Sequence, residues 1–199
     1  MAALKRTGQR DDTLIIFTSD NGGIESLNNA YVGDVSDSLL NSENDPLRDE
    51  TNTLYEGGVR VCAFANWPGK LAAHKHAAAM HVVDWFSTIA HVTGYQPTAE
   101  LHWDGINQWP ALTGAAPGVE PRAIYIAMKG GSALLYGGWK LIVRADGEPE
   151  LFNLAVDPYE KSNLAATELK QLDEMQRLLN EQQSKDNPVL PTDLEGQPG

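Results

Sequence analysis

Apolar residues in this chain fall into short alternating or continuous runs and two helical stripes, and each spacing predicts an element. Thr13 to Thr18 contains Leu14-Ile15-Ile16-Phe17, a β-branched and aromatic run stopped by Ser19-Asp20-Asn21-Gly22-Gly23. This predicts a buried strand over 13–18 that ends in a tight turn. Residues 24–53 carry Asn, Asp, Ser and Gly with little periodicity and read as a long surface loop, a length that goes with function or disorder. A second strand is expected over 59–65, followed by a turn at Trp67-Pro68-Gly69. From about Ala77 to Thr93, Val82, Trp85, Phe86, Ile89 and Val92 recur at helical spacing and Gly94 closes the run. They predict one amphipathic helix that packs on a sheet.

Beyond residues 114–121, rich in Ala, Gly and Pro, the period changes. Ala123–Met128, Ala133–Tyr136, Trp139–Arg144 and Glu150–Leu154 are short strand-like runs separated by Gly130-Gly131, Gly137-Gly138 and Asp146-Gly147. Such pairs are hairpin signals, so an antiparallel four-stranded sheet is expected. Leu164, Leu169, Leu172, Met175, Leu178 and Leu179 mark an amphipathic helix able to cover that sheet. The Pro- and Gly-rich tail from Asn187 is expected to be loose. No internal repeat is present.

Composition narrows the class without naming it. With 42% hydrophobic and 21% charged residues, the 199 residues suit one large or two small globular domains. No apolar run approaches the ~20 residues of a membrane span. The start, Met1-Ala2-Ala3-Leu4-Lys5-Arg6, resembles the end of a helix stopped by Gly8, so Met1 reads as an internal methionine or a truncated start. A single cysteine rules out an intrachain disulfide, and Cys62, within the expected second strand, reads as a small buried thiol. The net charge of −12 argues against a nucleic-acid partner and leaves attraction of any anionic substrate to local cations.

Chemistry concentrates at the end of the first strand. Asp20 and Asn21 offer a carboxylate and an amide carbonyl, an oxygen-only set suited to Ca²⁺ or Mg²⁺. The same residues are also ordinary turn formers. Elsewhere the structural reading prevails. Glu56, before Gly57-Gly58, reads as a turn carboxylate in preference to a general acid. His74 and His76 read as solvated, and His102 as a surface-loop residue. His81 and His91 stand ten apart, too far for a helical metal pair, and read as structural. Asp157-Pro158-Tyr159-Glu160 reads as a turn docking the last helix.

Taken in order, these segments resemble a known family. Thr18-Ser19-Asp20-Asn21-Gly22-Gly23, Pro46-Leu47-Arg48, Leu54-Tyr55-Glu56-Gly57-Gly58-Val59-Arg60, Trp103-Asp104-Gly105-Ile106-Asn107, Leu112-Thr113-Gly114, Trp139-Lys140-Leu141 and Glu150-Leu151-Phe152-Asn153-Leu154 through Asp157-Pro158 are similar, from about Asp12 to about Ala165, to the C-terminal part of the sulfatases, arylsulfatases in particular. The resemblance implies an α/β fold: the C-terminal portion of a mixed-sheet sulfatase α/β domain over 1–115, then a small α+β subdomain over 120–199, built from a four-stranded antiparallel sheet, a packed C-terminal helix and a loose tail. It implies a sulfuric ester hydrolase that uses a formylglycine hydrate and one divalent cation, Ca²⁺ or Mg²⁺, acting as Lewis acid and template. Asp20 and Asn21 match the family's Asp-Asn metal ligands. Related two-metal enzymes commonly carry Asp-His at this corner, so Asn21 weighs against a phosphoester hydrolase.

Two departures bear on activity. No Cys/Ser-x-Pro/Ala-x-Arg nucleophile motif occurs among these residues, so formylglycine is expected only in an N-terminal part that this sequence lacks, and that part is itself a candidate partner. Thr51 stands where the family's Pro-Leu-Arg-x-x-Lys loop places a sulfate-contacting lysine, with Asp49 and Glu50 adding negative charge. A unit charge about 4 Å from sulfate contributes ~4 kcal/mol at an effective dielectric of 20, before desolvation. These residues alone are therefore expected to be inactive, to bind Ca²⁺ weakly and to dissolve poorly. The alternative is a catalytically inactive sulfatase-like interaction protein. The resemblance implies a sulfate ester or sulfated carbohydrate as substrate and a periplasmic or secreted location.

Overall fold

The computed structural model describes residues 1–24, 42–99, 101–115 and 121–186. Part of the loop expected over 24–53, part of the 114–121 boundary and the tail from Asn187 lie outside the described residues. Contacts gather into two compact units, Met1–Asp20 with Val61–Pro121 and Asn21–Arg60 with Arg122–Gly199.

In the first unit, α1 (Ala2–Arg6) and a 3₁₀ turn (Arg10–Asp12) lead into β1 (Ile15–Thr18), which pairs antiparallel with β2 (Ala63–Asn66). The second strand expected at 59–65 therefore starts later, at Ala63. Its expected first residue belongs to α2 (Glu56–Val59) in the other unit, a helical turn closed by the Val59 amide donating to Tyr55 and the Arg60 amide to Glu56. The expected burial of β1 is also corrected. Phe17 lies opposite Phe64, the rings stacked at 5.2 Å and left 49% and 55% exposed. Among the described residues the pair forms only a two-stranded sheet, which covers neither ring. Cys62, just before β2, is exposed and not buried, as are Ala63 and Phe64 after it, because among the described residues β1 and β2 form only a two-stranded sheet.

An exposed aromatic pair on a short sheet is an association surface. A Phe17→Ser, Phe64→Ser double variant is expected to raise the monomeric fraction seen by light scattering. An unchanged fraction would place the sticky surface elsewhere.

The helix expected over 77–93 is α3 (Asp84–Thr93), shorter at its start and turned over. Val82, Phe86 and Ile89 are exposed, whereas Asp84, Ser87, Thr88 and Ala90 are buried. The face read as core is outward, and among the described residues the main packing partner of α3 is α4 (Trp109–Leu112) with the segment before it, in place of the expected sheet. The polar residues explain the inversion, since the Gly105 carbonyl and the Ile106 and Gln108 amides need partners and find them in side chains of this face. Asp84 accepts the Ile106 amide (3.0 Å) and the His81 amide (2.9 Å). Thr88 accepts the Gln108 amide (2.9 Å), and the Ser87 hydroxyl donates to the Gly105 carbonyl (2.7 Å). The Asp84 carboxylate that accepts the His81 amide also marks where the turn gives way to helix, which ends at Gly94 as expected.

The second unit follows its sequence pattern closely. β3 (Ile124–Met128), β4 (Gly131–Tyr136), β5 (Trp139–Arg144) and β6 (Glu150–Asn153) form an antiparallel meander. Gly137 and Gly138, both at positive φ, make the two-residue turn that joins Tyr136 to its partner Trp139. Alternation gives the sheet two buried faces. Leu134, Leu141 and Leu151 meet Met175 and Leu179 of α5 (Leu169–Gln183), while Ala133, Ile142 and Phe152 meet Leu54 and Tyr55. That second face lies against the turn that carries α2.

Candidate functional site

Asn21 opens the second unit, and the residues after it are held by backbone bonds and by the Asn44 side chain. The Gly22 amide donates to the Gly58 carbonyl (2.9 Å), the Gly57 amide to the Arg48 carbonyl (2.7 Å), and the Thr51 amide to the Gly23 carbonyl (3.1 Å). Asn44 clamps the corner further: its Oδ1 accepts the Gly23 amide (2.8 Å) and its Nδ2 donates to the Gly23 carbonyl (3.0 Å). Three short segments, 21–23, 44–53 and 55–60, are thus stitched into one layer.

The glycines make this layer possible. A β-carbon on Gly22 would overlap the Gly57 carbonyl oxygen and lie 2.8 Å from its carbon. One on Gly57 would overlap the Asp49 carbonyl oxygen and lie 2.5 Å from that of Arg48. Only hydrogen fits at either place.

The expected site residues can now be placed. Asp20 is exposed, directly beyond β1 in the first unit. Asn21 is exposed in the second, and its Nδ2 donates to the Gly22 carbonyl (2.7 Å). Thr51 is half-buried beside Gly23, in a loop whose Asp49 and Asn52 take left-handed φ values of 66° and 63°. Left-handed non-glycine residues are uncommon and gather at functional loops. The structure therefore joins Thr51 to the Asn21 corner through one hydrogen bond to Gly23. The donors fit a hard cation in kind, but among the described residues no group of three His, Cys, Asp or Glu side chains is placed to hold a metal.

Two clusters of charge back this layer. Arg48 lies over the Tyr55 ring at 3.8 Å, donates to the Tyr55 hydroxyl (3.0 Å) and the Glu160 carbonyl (3.1 Å), and pairs with Glu150 at 3.4 Å. It holds the loop. Tyr55 in turn donates to Glu150 (2.7 Å), which also pairs with Arg144. Burial, then the Glu150 hydrogen bond, pushes the Tyr55 hydroxyl above its ordinary pKa.

Deeper lies an ionic triad that sequence reasoning missed. Lys140, wholly buried on β5, donates to Glu56 Oε1 (2.9 Å) and lies 2.8 Å from Glu160 Oε1. Glu160 Oε2 accepts the Glu56 amide (2.7 Å). Glu56 is accordingly structural, and Asp157-Pro158-Tyr159-Glu160 does more than turn the chain. The available signal was Lys140 itself, a charge at an inward position of an apolar strand, two residues from buried Ile142. Burial raises the Glu160 carboxyl above its ordinary value, and Lys140 only partly opposes this. Of the histidines, His74, His91 and His102 are exposed and His81 serves its own turn, its Nδ1 accepting the Val83 amide (3.3 Å).

Comparison with known proteins agrees with the order of these segments. The family model described as Sulfatase matches residues 1–95. Arylsulfatase J of Mus musculus is 29% identical over 155 residues, covering 72% of this chain and 23% of that protein. An N-acetylgalactosamine-6-O-sulfatase of Bacteroides thetaiotaomicron is 25% identical over 187 residues, covering 85% of this chain and 36% of that protein. The chain thus spans little more than a third, at most, of the length of these relatives. Among solved structures, Ps i-CgsB in complex with k-i-k-neocarrahexaose superposes with a TM-score of 0.77 at 30% identity, over 94% of this chain and 39% of that one. With the mixed α/β elements, the antiparallel four-stranded sheet and the C-terminal helix in their places, these matches support the sulfatase family, on the alkaline-phosphatase-like fold.

Proposed function

We propose that these residues form part of a sulfuric ester hydrolase, supplying Asp20 and Asn21 to a site for one Ca²⁺ or Mg²⁺. The observation that carries this reading is the Asn21 corner, locked by backbone bonds to the loop that bears Thr51. The cation, when bound, supplies Lewis-acid polarisation of a sulfate oxygen. This chain's part is to present two oxygen donors from a turn that cannot relax, with Arg48 and Asn44 holding the loop and corner around them. A sulfated carbohydrate is the substrate class suggested by the named relatives, one an N-acetylgalactosamine-6-O-sulfatase and one solved with a neocarrahexaose. A periplasmic or secreted location goes with this reading.

The test uses the complete gene product that contains these residues, assayed with 4-nitrophenyl sulfate and with a sulfated oligosaccharide. Asp20→Ala and Asn21→Ala are each expected to lower kcat/KM by about 100-fold or more, and chelation to stop turnover until Ca²⁺ is restored. Full activity in both variants would remove the metal assignment.

Thr51 favours a second reading, a sulfatase-like protein without turnover, since its hydroxyl supplies no positive charge beside Asp49 and Glu50. No turnover by the native protein, with turnover appearing in Thr51→Lys, would establish that reading.

A further inference from the structure

We propose that the buried triad of Glu56, Lys140 and Glu160 positions the Asn21 corner and the Thr51 loop, so that the C-terminal sheet sets the geometry of the cation site. The proposal rests on the metal reading for its purpose, and on the structure alone for its geometry. The path is short and continuous. Lys140, fixed between β4 and β6, grips Glu56 and Glu160 together. The Glu160 carboxylate accepts the Glu56 amide, so α2 can take only one orientation on the sheet. From α2, the Gly58 carbonyl receives the Gly22 amide, and the Gly57 amide holds the Arg48 carbonyl. Arg48 closes the circuit by donating to the Glu160 carbonyl, and Thr51 returns to Gly23.

Stability alone gives no reason for a triad here. A buried ion pair typically does no better than well-packed apolar side chains of the same volume, because desolvation offsets the Coulomb attraction. What apolar packing cannot supply is direction. Leucine in place of Glu160 would fill the space but leave the Glu56 amide without its acceptor, and α2 free to rock on the Ile142 and Phe152 face. The sheet side of this layer carries the fixed charges, and the bonds that tie the corner and the loop to α2 are the backbone bonds of Gly22 and Gly57, which follow wherever α2 goes.

Amide hydrogen exchange on the whole chain tests this without any metal. Lys140→Met is compared with Leu134→Ala, which damages the opposite face of the same sheet, under α5. Positioning predicts that the Gly22, Thr51 and Gly57 amides exchange about tenfold faster in Lys140→Met, measured against the Leu141 and Leu151 amides of the sheet, and keep their native ratio in Leu134→Ala. Glu160→Gln, which keeps volume, carries the test where Lys140→Met does not fold, and is expected to shift the same three amides. If these amides keep pace with the sheet in every variant, the triad is only structural and the proposal fails. A parallel Ca²⁺ titration of the complete gene product follows protection at Asn21 and Gly22. Loss of protection by about 10–100-fold in affinity in Lys140→Met supports the link to the cation. Absence of any Ca²⁺ effect in the complete gene product that contains these residues overturns the metal reading, while the exchange ratios still decide the positioning.

Discussion

Lys140→Ala is expected to lower the stability of the second unit by about 3–5 kcal/mol, the range for breaking a buried ion pair from one side. The variant leaves Glu56 and Glu160, both buried, with no cation between them, and opens a void beside Phe152. Arg60, 3.8 Å from Glu56 and itself exposed, does not reach in to replace it. Chemical denaturation checks the value, and a loss below about 1 kcal/mol would mean that the triad opens to water. Replacing all three residues together, Lys140→Met with Glu56→Gln and Glu160→Gln, is expected to recover most of the loss. The pH dependence follows from Glu160, whose carboxyl burial has raised. A carboxyl raised on folding adds stability that is complete below its unfolded value, near 4.5, and is lost as pH climbs through the folded value. Glu160→Gln lacks this titration, so it is expected to gain on the native protein as pH rises above about 4.5.

Gly57→Ala should be nearly as damaging, by about 3 kcal/mol or more, at the upper end of overpacking because the obstacle is backbone. The new methyl meets the carbonyls of Arg48 and Asp49. Neither can swing aside: the Arg48 carbonyl accepts the Gly57 amide itself, and Asp49 already sits at a left-handed φ. Relief requires pushing the 48–53 loop off α2, so, on the proposed metal reading, Ca²⁺ binding by the complete gene product should be lost along with stability. Alanine at Gly69, at positive φ but with open space around it, strains only its own backbone and serves as the control. Equal melting temperatures for the two variants would show that the loop yields.

Much of this could be read along the chain, where local rules decide. The paired glycines of the second half mark real turns, and alternation from Ala133 to Phe152 sorts residues onto the two faces of the sheet. Asp20-Asn21-Gly22-Gly23 stood out because a motif is contiguous. Long-range partners were another matter. Periodicity located the apolar stripe of α3 but not which side faces inward, and Asp84, Ser87 and Thr88 at i, i+3 and i+4 were the overlooked sign of a polar contact face. Glu56 and Glu160 stand more than a hundred residues apart, and no local rule pairs them through Lys140. The stitches at Gly22, Gly57 and Thr51 are backbone bonds, which leave no trace in side-chain identity beyond the glycines that permit them.

The complete enclosure of Lys140 also makes it a chemical clock. Amine-reactive acylating reagents modify exposed lysines such as Lys129 and Lys161 at the rate of the free amine. They reach Lys140 only when the second unit opens, so its labelling rate reports the opening equilibrium, or the unfolding rate at high reagent. Once acylated, that side chain is neutral and longer, and cannot return between two carboxylates. Each opening caught by the reagent is therefore recorded permanently, and mass spectrometry of a single peptide would read the lifetime of the folded sheet.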